Sequence, residues 1–324
     1  MEKEKIIIDC DPGTDDALAI ILALYSGKLD LKAVCSVTGN GALDTTTRNG
    51  LNILSLCGRE DIPLYRGSAV ALDRKQPATV SAFGDDGLGG FADTISSNKK
   101  EEDLNAVDFL VEYVNKYPNE ITLFAIGPCT NIAHAIRKSK DFAKNLKHLI
   151  IMGGAKYTGN MSPVAEYNFW ADPLAAHEVL MAGIQEVTMI GLDVTNKIAL
   201  DCNMREILRM LNTKLSTFVY NITQIGMDEN WKERRKAVSP MHDVLTVAYF
   251  LDNSIVNVKP AYIDVVTEGI ARGQSIVDIN GHWNKNKCNA KYAYDVDTAK
   301  FYKLFYKEIF NEDITDLIDK KQEE

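Results

Sequence analysis

The sequence predicts an α/β fold: a mostly parallel central sheet flanked by helices, with a small antiparallel addition near the C-terminus. Three observations predict it. Apolar runs of strand length alternate with helix-length segments from residue 6 to residue 190, the signature of repeated βα units. Most of these runs stop at glycine, proline or aspartate turns, as strands do. From Val256 the texture changes to the alternating runs YIDVV, SIVDI and AKYAYDV, which suit antiparallel strands. A chain of 324 residues is long for one domain but acceptable for a large α/β fold. No linker, internal repeat or low-complexity segment divides it, so residues 1–324 read as a single domain.

At the N-terminus, Ile6, Ile7 and Ile8 form a β-branched run typical of a buried strand. Pro12 and Gly13 make a turn, Thr14 or Asp15 is placed to cap a helix, and residues 17–25 are good helix formers. Residues 31–38 are the next strand, ended by Gly39-Asn40-Gly41. Asp44 opens a helix that runs to Cys57, and residues 63–68 read as a short strand. From 70 to 100 the pattern weakens into a loop that includes the glycine-rich FGDDGLGGF at 83–91. Long irregular loops in a compact fold tend to carry function.

Alternation then resumes. It runs through helix 104–116, strand 121–126 ending at Gly127-Pro128, helix 130–138, and strand 148–152 ending at Gly153-Gly154. A second loop at 155–171 precedes helix 173–182, which has proline at its first position, and strand 186–190. Residues 203–238 read as mainly helical, His242-Asp243 opens another helix, and 297–311 is a closing amphipathic helix. The tail ITDLIDKKQEE is charged and reads as frayed.

Composition narrows the function. A hydrophobic content of 46% supports a sizeable core. A formal charge of -9 argues against a nucleic-acid partner. The 6 cysteines show no CxxC spacing, so neither zinc nor a disulfide framework is expected. The N-terminus MEKEKIII lacks the features of a signal peptide, and no stretch approaches a membrane span. A reducing, cytoplasmic setting is the expectation.

The chemistry concentrates where the first strand ends. Asp9, Asp11, Asp15 and Asp16 fall within eight positions. Carboxylates this dense repel one another unless a cation sits among them, and hard cations such as Ca²⁺ and Mg²⁺ prefer oxygen ligands. A helix dipole would account for Asp15 and Asp16 alone. Parallel sheets bind ligands beyond the carboxyl ends of their strands, which places Asp11, Asn40, the Ile126-Gly127 backbone and Met152 in one crevice.

Four segments together resemble the inosine-uridine-preferring nucleoside hydrolase family: DCDPGTDDALAI near the N-terminus, GN at 39–40, AEYNFWADP at 165–173 and MHDVLTVAY at 241–249. The likeness runs nearly end to end. It implies a Rossmann-like nucleoside hydrolase fold, a homodimer or homotetramer, and Ca²⁺-dependent hydrolysis of the N-glycosidic bond of ribonucleosides. It further implies that Asp11, Asp16, Asp243 and the backbone carbonyl of Ile126 bind Ca²⁺. Asp15, Asn40 and Asn168 would grip the 2′- and 3′-hydroxyls of the ribose. Asn160 and Glu166 would reach the 5′-hydroxyl, with Met152 packing near the sugar. Asp11 would be the general base for a metal-held water, His242 the leaving-group acid, and Asp9 a support for the acidic loop. These residue types suit an oxocarbenium-like transition state, whose growing positive charge carboxylates and amide oxygens stabilise.

One departure touches the base. Well-known non-specific members carry His-Gly in the glycine-rich loop, where this chain has Phe83-Gly84. Phe83 cannot donate a hydrogen bond; it either stacks on a nucleobase or belongs to the core. Trp231 is a second stacking candidate with the same alternative. The preferred base, a pyrimidine such as uridine or a broad range including inosine, stays open. Asp85 and Asp86 read as solvated loop acids, and His134, His148, His177 and His282 as structural.

Three other readings compete. The Asp9-Cys10-Asp11 pattern fits a haloacid-dehalogenase-type phosphatase superficially, but Pro-Gly-Thr-Asp-Asp after it does not. A nucleoside phosphorylase needs a phosphate site, and no glycine-rich P-loop or basic cluster supplies one. A non-catalytic, metal-dependent nucleoside or ribose binder would have no need for Asp11.

Overall fold

Alternating apolar side chains on the first strand feed two hydrophobic layers, one on each face of a nine-stranded sheet. The computed structural model describes residues 3–73, 83–283 and 287–318. On β1 (Glu4–Cys10), Ile6 and Ile8 enter one core and Ile7 the other. The first core is closed by helices Thr14–Tyr25, Val244–Leu251 and Thr298–Phe310. The second is closed by helices Ala106–Lys116, Thr130–Lys138 and Pro173–Met181. Burial on both faces is what a parallel sheet requires.

The other strands are β2 (Leu29–Ser36), β3 (Leu64–Arg66), β4 (Thr122–Ala125), β5 (His148–Met152), β6 (Val187–Ile190), β7 (Ala199–Asp201), β8 (Val238–Pro240), β9 (Val256–Val265), β10 (Ser275–Asp278) and β11 (Ala290–Val296). The large sheet runs β10-β9-β11-β6-β5-β4-β1-β2-β3. The pairs from β3 across to β11 are parallel, and β9 runs antiparallel to both β11 and β10. The expected parallel sheet with a late antiparallel addition is therefore present. After β3 the chain crosses back to place β4 on the far side of β1. The strand order reverses at β1, and such a switch point opens a crevice at the strands' carboxyl ends.

Two expectations need correction and a third gains an element. The helix after β1 is capped by neither Thr14 nor Asp15. Gly13 is its N-cap, and the Asp16 carboxylate reaches back to accept the Gly13 amide at 3.0 Å. The tail is not frayed throughout, because Ile314 and Ile318 are 5% and 4% exposed and pack into the first core; residues 319–324 lie outside the described residues, as do 74–82 of the weakly patterned segment. The stretch 203–238 does hold three helices, Cys202–Leu211, Lys214–Ile222 and Gln224–Arg234. It is bracketed, however, by the unforeseen antiparallel pair β7–β8, whose three-residue strands are too short to leave a period-2 signal.

Candidate active site

The turn after β1 is folded around its own acids. Asp16 accepts the Asp11 amide through Oδ1 at 3.1 Å, and the Asn40 side-chain amide through Oδ2 at 2.9 Å. Asn40, at the end of β2, also donates its backbone amide to Asp11 Oδ2 at 2.7 Å. Asp243 arrives from the distant N-terminus of helix Val244–Leu251. Carboxylate oxygens of Asp15, Asp16 and Asp243 lie within 4.8 Å of one another. This trio contains Asp15, which the resemblance assigns to ribose, while Asp11 stands beside it. Asp11 Oδ1 is nevertheless buried without a hydrogen-bond partner, an orphaned acceptor that a cation would satisfy.

Two glycines that read in sequence only as strand terminators also serve Asp11. A Cβ on Gly39 would lie 2.0 Å from Asp11 Oδ2, and one on Gly127 would lie 2.6 Å from Oδ1. No side chain fits at either place without displacing the carboxylate. Gly39→Ala should therefore lower kcat/KM tenfold or more, since Asp11 is the expected general base and misplacing such a group by about 1 Å can cost about 10²-fold. Steady-state kinetics with the melting temperature measured in parallel checks this.

The second wall comes from the loop after β5. Glu166 caps the short helix Tyr167–Ala171, accepting the amides of Asn168 at 2.8 Å and Gly154 at 2.9 Å. Asn160 Oδ1 accepts the Tyr167 amide at 2.9 Å. Asn168 donates to the carbonyls of Ile126 and Met152, both at 3.0 Å. The Ile126 carbonyl keeps a second lone pair for a cation. These residues line a cavity of about 320 Å³ together with Asp11, Asp15, Asn40 and Asp243, within the size range of small-molecule sites.

Electrostatics make this end of the cavity a site for positive charge. Burial, and then the charge of Asp16, raises the Asp15 carboxyl to about 7. Burial raises Asp16 to about 6 and Glu166 to about 7. Asp11 and Asp243 are pushed well above the usual carboxylate range by burial and by neighbouring acids. The charges acting on Asp11, Asp15 and Asp243 are other carboxylates. Such a set is stable when protons or a hard cation neutralise it. Oxygen-only donors, an orphaned Asp11 Oδ1 and a nearby carbonyl fit Ca²⁺.

Asp9 points elsewhere. Its Oδ2 accepts the Asn131 side-chain amide at 2.8 Å, and Asn131 in turn holds the Ser36 carbonyl and the Ser68 amide. It thus braces the strand ends below the acidic turn.

The rest of the cavity lining comes from two elements that sequence reasoning resolved poorly. Phe83 lines it and sits on the turn, where a Cβ on Gly13 would meet its ring at 2.7 Å. The ring is half-buried on the cavity wall and is not core. Asp86 is no solvated bystander. It accepts the amides of Leu88, Gly90 and Ala92, each at 2.9 Å, and so fixes the loop that carries Phe83. Those three hydrogen bonds outweigh partial burial and hold its carboxyl below the usual range. Asp85 is exposed, as expected.

Helix Gln224–Arg234 forms the other side. Gly226, Glu229, Asn230, Glu233 and Arg234 face the cavity, spaced three and four apart as one helical face requires. Trp231 lies off that face. It is 52% exposed, carries the Arg235 guanidinium 5.9 Å from its ring, and belongs to neither the cavity lining nor the core. Helix phase thus turns the stacking candidate away from the residues that line the cavity. His242 does line the cavity. Its Nδ1 lies 2.8 Å from Thr195 Oγ1, a contact set up by β7–β8, whose register continues to Met241. Burial, and then the charge of Arg234, lowers the imidazole to about 4, so the ring is neutral near pH 7.

Of the remaining histidines, His148 hydrogen-bonds Thr188 at 2.9 Å and His177 meets Asp264 at 2.6 Å. Neither they nor His134 and His282 line this cavity. Among the described residues no helix is long and apolar enough to cross a membrane.

Comparison with known proteins gives one picture. The family described as inosine-uridine preferring nucleoside hydrolase matches residues 6–303. Pyrimidine-specific ribonucleoside hydrolase RihA of Salmonella arizonae is 36% identical over 304 residues, covering 92% of this chain and 96% of its own. RihA of Citrobacter koseri is 34% identical over the same length. Among solved structures, the plant nucleoside hydrolase PpNRh1 superposes with a TM-score of 0.91 at 31% identity, covering 96% of this chain and 100% of its own. A purine-preferring ribonucleoside hydrolase from Gardnerella vaginalis gives a TM-score of 0.88 at 32% identity, covering 94% and 98%.

Proposed function

The chain belongs to the inosine-uridine preferring nucleoside hydrolase family, and from that premise we propose that it hydrolyses ribonucleosides to ribose and free base, with pyrimidines preferred. One observation carries the reading: the carboxylates of Asp11, Asp15, Asp16 and Asp243 and the amides of Asn40 and Asn168 converge at the sheet's switch point. The pyrimidine preference rests on the RihA relatives, which are pyrimidine-specific.

Asp11, Asp16, Asp243 and the Ile126 carbonyl would hold Ca²⁺, with Asp15 at its edge. When bound, the cation neutralises the acids and orients water and ribose hydroxyls. Asp15, Asn40 and Asn168 bind the 2′- and 3′-hydroxyls, Asn160 and Glu166 the 5′-hydroxyl, and Met152 packs on the sugar. Asp11 takes the proton of the attacking water. Carboxylates around the ring stabilise the ribosyl cation as the bond to the base lengthens. Phe83 supplies a flat apolar surface for the base. His242, neutral at the working pH, serves as a hydrogen-bond donor to the leaving base through Nε2, with Thr195 holding Nδ1. His242→Ala should then lower kcat for natural nucleosides by about 10–100-fold without abolishing it, in line with loss of one positioned donor. Equal and small effects on every nucleoside would leave His242 a structural role.

The chain is proposed to act as one domain, as a homodimer or homotetramer in a reducing cytoplasm, which light scattering of the purified protein tests for the assembly. The decisive assay incubates the protein with uridine, cytidine, inosine and adenosine and measures free ribose. No ribose despite bound Ca²⁺ would favour a non-catalytic nucleoside binder. Ribose 1-phosphate formed only when phosphate is added would favour a phosphorylase.

A further inference from the structure

We propose that Arg234 is a leaving-group contact, whose guanidinium holds the departing base as an anion. The inference rests on the hydrolase reading and adds to it a residue at the base end. Arg234 is the last residue of helix Gln224–Arg234, and Arg235 comes next in the left-handed conformation at φ 56. The helix stops there, and its carbonyl end favours a cation at that point. The cavity-facing positions Gly226, Asn230 and Arg234 repeat every four residues, so Arg234 belongs to the face turned toward the site.

Three further observations bear on its task. Among the described residues the exposed Arg234 side chain has no hydrogen bond or ion pair, whereas Glu229 on the same face is held by Lys232 at 2.7 Å. Asn230 donates to the Gly226 carbonyl at 3.0 Å, which commits its amide nitrogen within the helix. Arg234 and His242 both line the same cavity. Glu233, the remaining acid of that face, is exposed beside it.

Among the described residues that line the cavity, Arg234 is the one arginine or lysine; Glu229 and Glu233 share its helix face, and Asp11, Asp15, Glu166 and Asp243 come from other elements. Hydrolysis separates charge between sugar and base. As the C1′–N bond breaks, its electron pair passes to the base nitrogen and spreads onto ring carbonyl oxygens. The sugar becomes cationic beside Asp11, Asp15 and Glu166. The water oxygen forms the new bond to C1′, its proton goes to Asp11, and the base leaves as an anion paired with Arg234 before solvent protonates it. The guanidinium keeps its protons throughout, as its very high pKa demands. It thus supplies the positive charge that Phe83 cannot.

The test compares uridine with p-nitrophenyl β-D-ribofuranoside, whose leaving group is stable as an anion without help. Arg234→Gln should lower kcat on uridine on the order of 10–100-fold, the range for loss of one charge-stabilising group, yet stay within about twofold on the nitrophenyl riboside. Arg234→Lys should recover most of the uridine rate by restoring the charge. Arg235→Gln, one residue outside the cavity lining, should match the wild type on both. Equal losses on the two substrates, or a rise in KM alone, would overturn the inference while leaving the hydrolase reading intact. A wild-type protein that releases ribose from neither substrate overturns both.

Discussion

Replacing Asp11 by asparagine is expected to lower kcat by about three orders of magnitude, the scale of a lost general base, without harming the fold. The side chain keeps its shape, so the Asn40 amide that meets Asp11 Oδ2 at 2.7 Å retains an acceptor. What disappears is the basic oxygen and one ligand of the proposed cation. Stability should respond in the opposite direction to activity. Burial and the neighbouring acids hold the Asp11 carboxyl far above its ordinary value, so keeping an ionisable group there costs free energy. Asparagine has nothing to ionise, and the metal-free variant should melt at or above the metal-free wild type. Calorimetry of Ca²⁺ binding separates a lost ligand from a lost base. Turnover near the wild-type rate would sink the assignment.

Chelation should have an effect at least as large. Stripping bound cation is expected to abolish turnover and lower the melting temperature, and added Ca²⁺ should restore both. The size of the stabilisation should depend on pH with a definite sign. Asp15 and Asp16 are raised to about 7 and about 6 from an ordinary 3.8. Without metal, the folded protein holds protons that the unfolded chain has already released. That contribution is fully present below about pH 4 and is lost as the pH climbs through about 6 to 7. A cation needs those carboxylates ionised, so its binding strengthens across the same window. The two trends diverge, and the difference in melting temperature between Ca²⁺-loaded and metal-free protein should widen from about pH 5 to about pH 8. A constant difference over that range would count against a cation held by these acids.

The proposed sugar end of the site was legible in the sequence because its residues fall in contiguous strings. Asp11, Asp15 and Asp16 share one turn, and Asn40, Asn168 and Asp243 sit in short strings of recognisable composition. The parallel sheet was legible for a similar reason, since buried strands such as Ile6–Ile8 are continuous apolar runs. The base end was not. Whether Trp231 or Arg234 faces the cavity depends on helix phase, which a helix as weakly amphipathic as Gln224–Arg234 does not announce. The task of Asp86 lies in three backbone amides of its own loop, and backbone donors have no letter in the sequence. Gly39 and Gly127 are similar: their importance is the space they leave for a carboxylate from another strand. The β7–β8 pair is formed by residues nearly forty positions apart, each strand too short to show a pattern.

That same pair sets a boundary in the molecule. Ala199–Asp201 and Val238–Pro240 clasp the two ends of everything between them, and the segment they enclose delivers Arg234 and its neighbours while contributing no proposed metal or ribose ligand. Its helices also pack into the first core through Met204, Leu208, Phe218, Val219 and Ile222. Changes within 202–237 would alter Arg234 and its neighbours without touching the proposed metal and ribose ligands, while Phe83 and His242 stay outside the segment. Part of base selectivity could then change apart from the acids. Grafting this one segment between relatives of different base preference is the engineering route the fold leaves open.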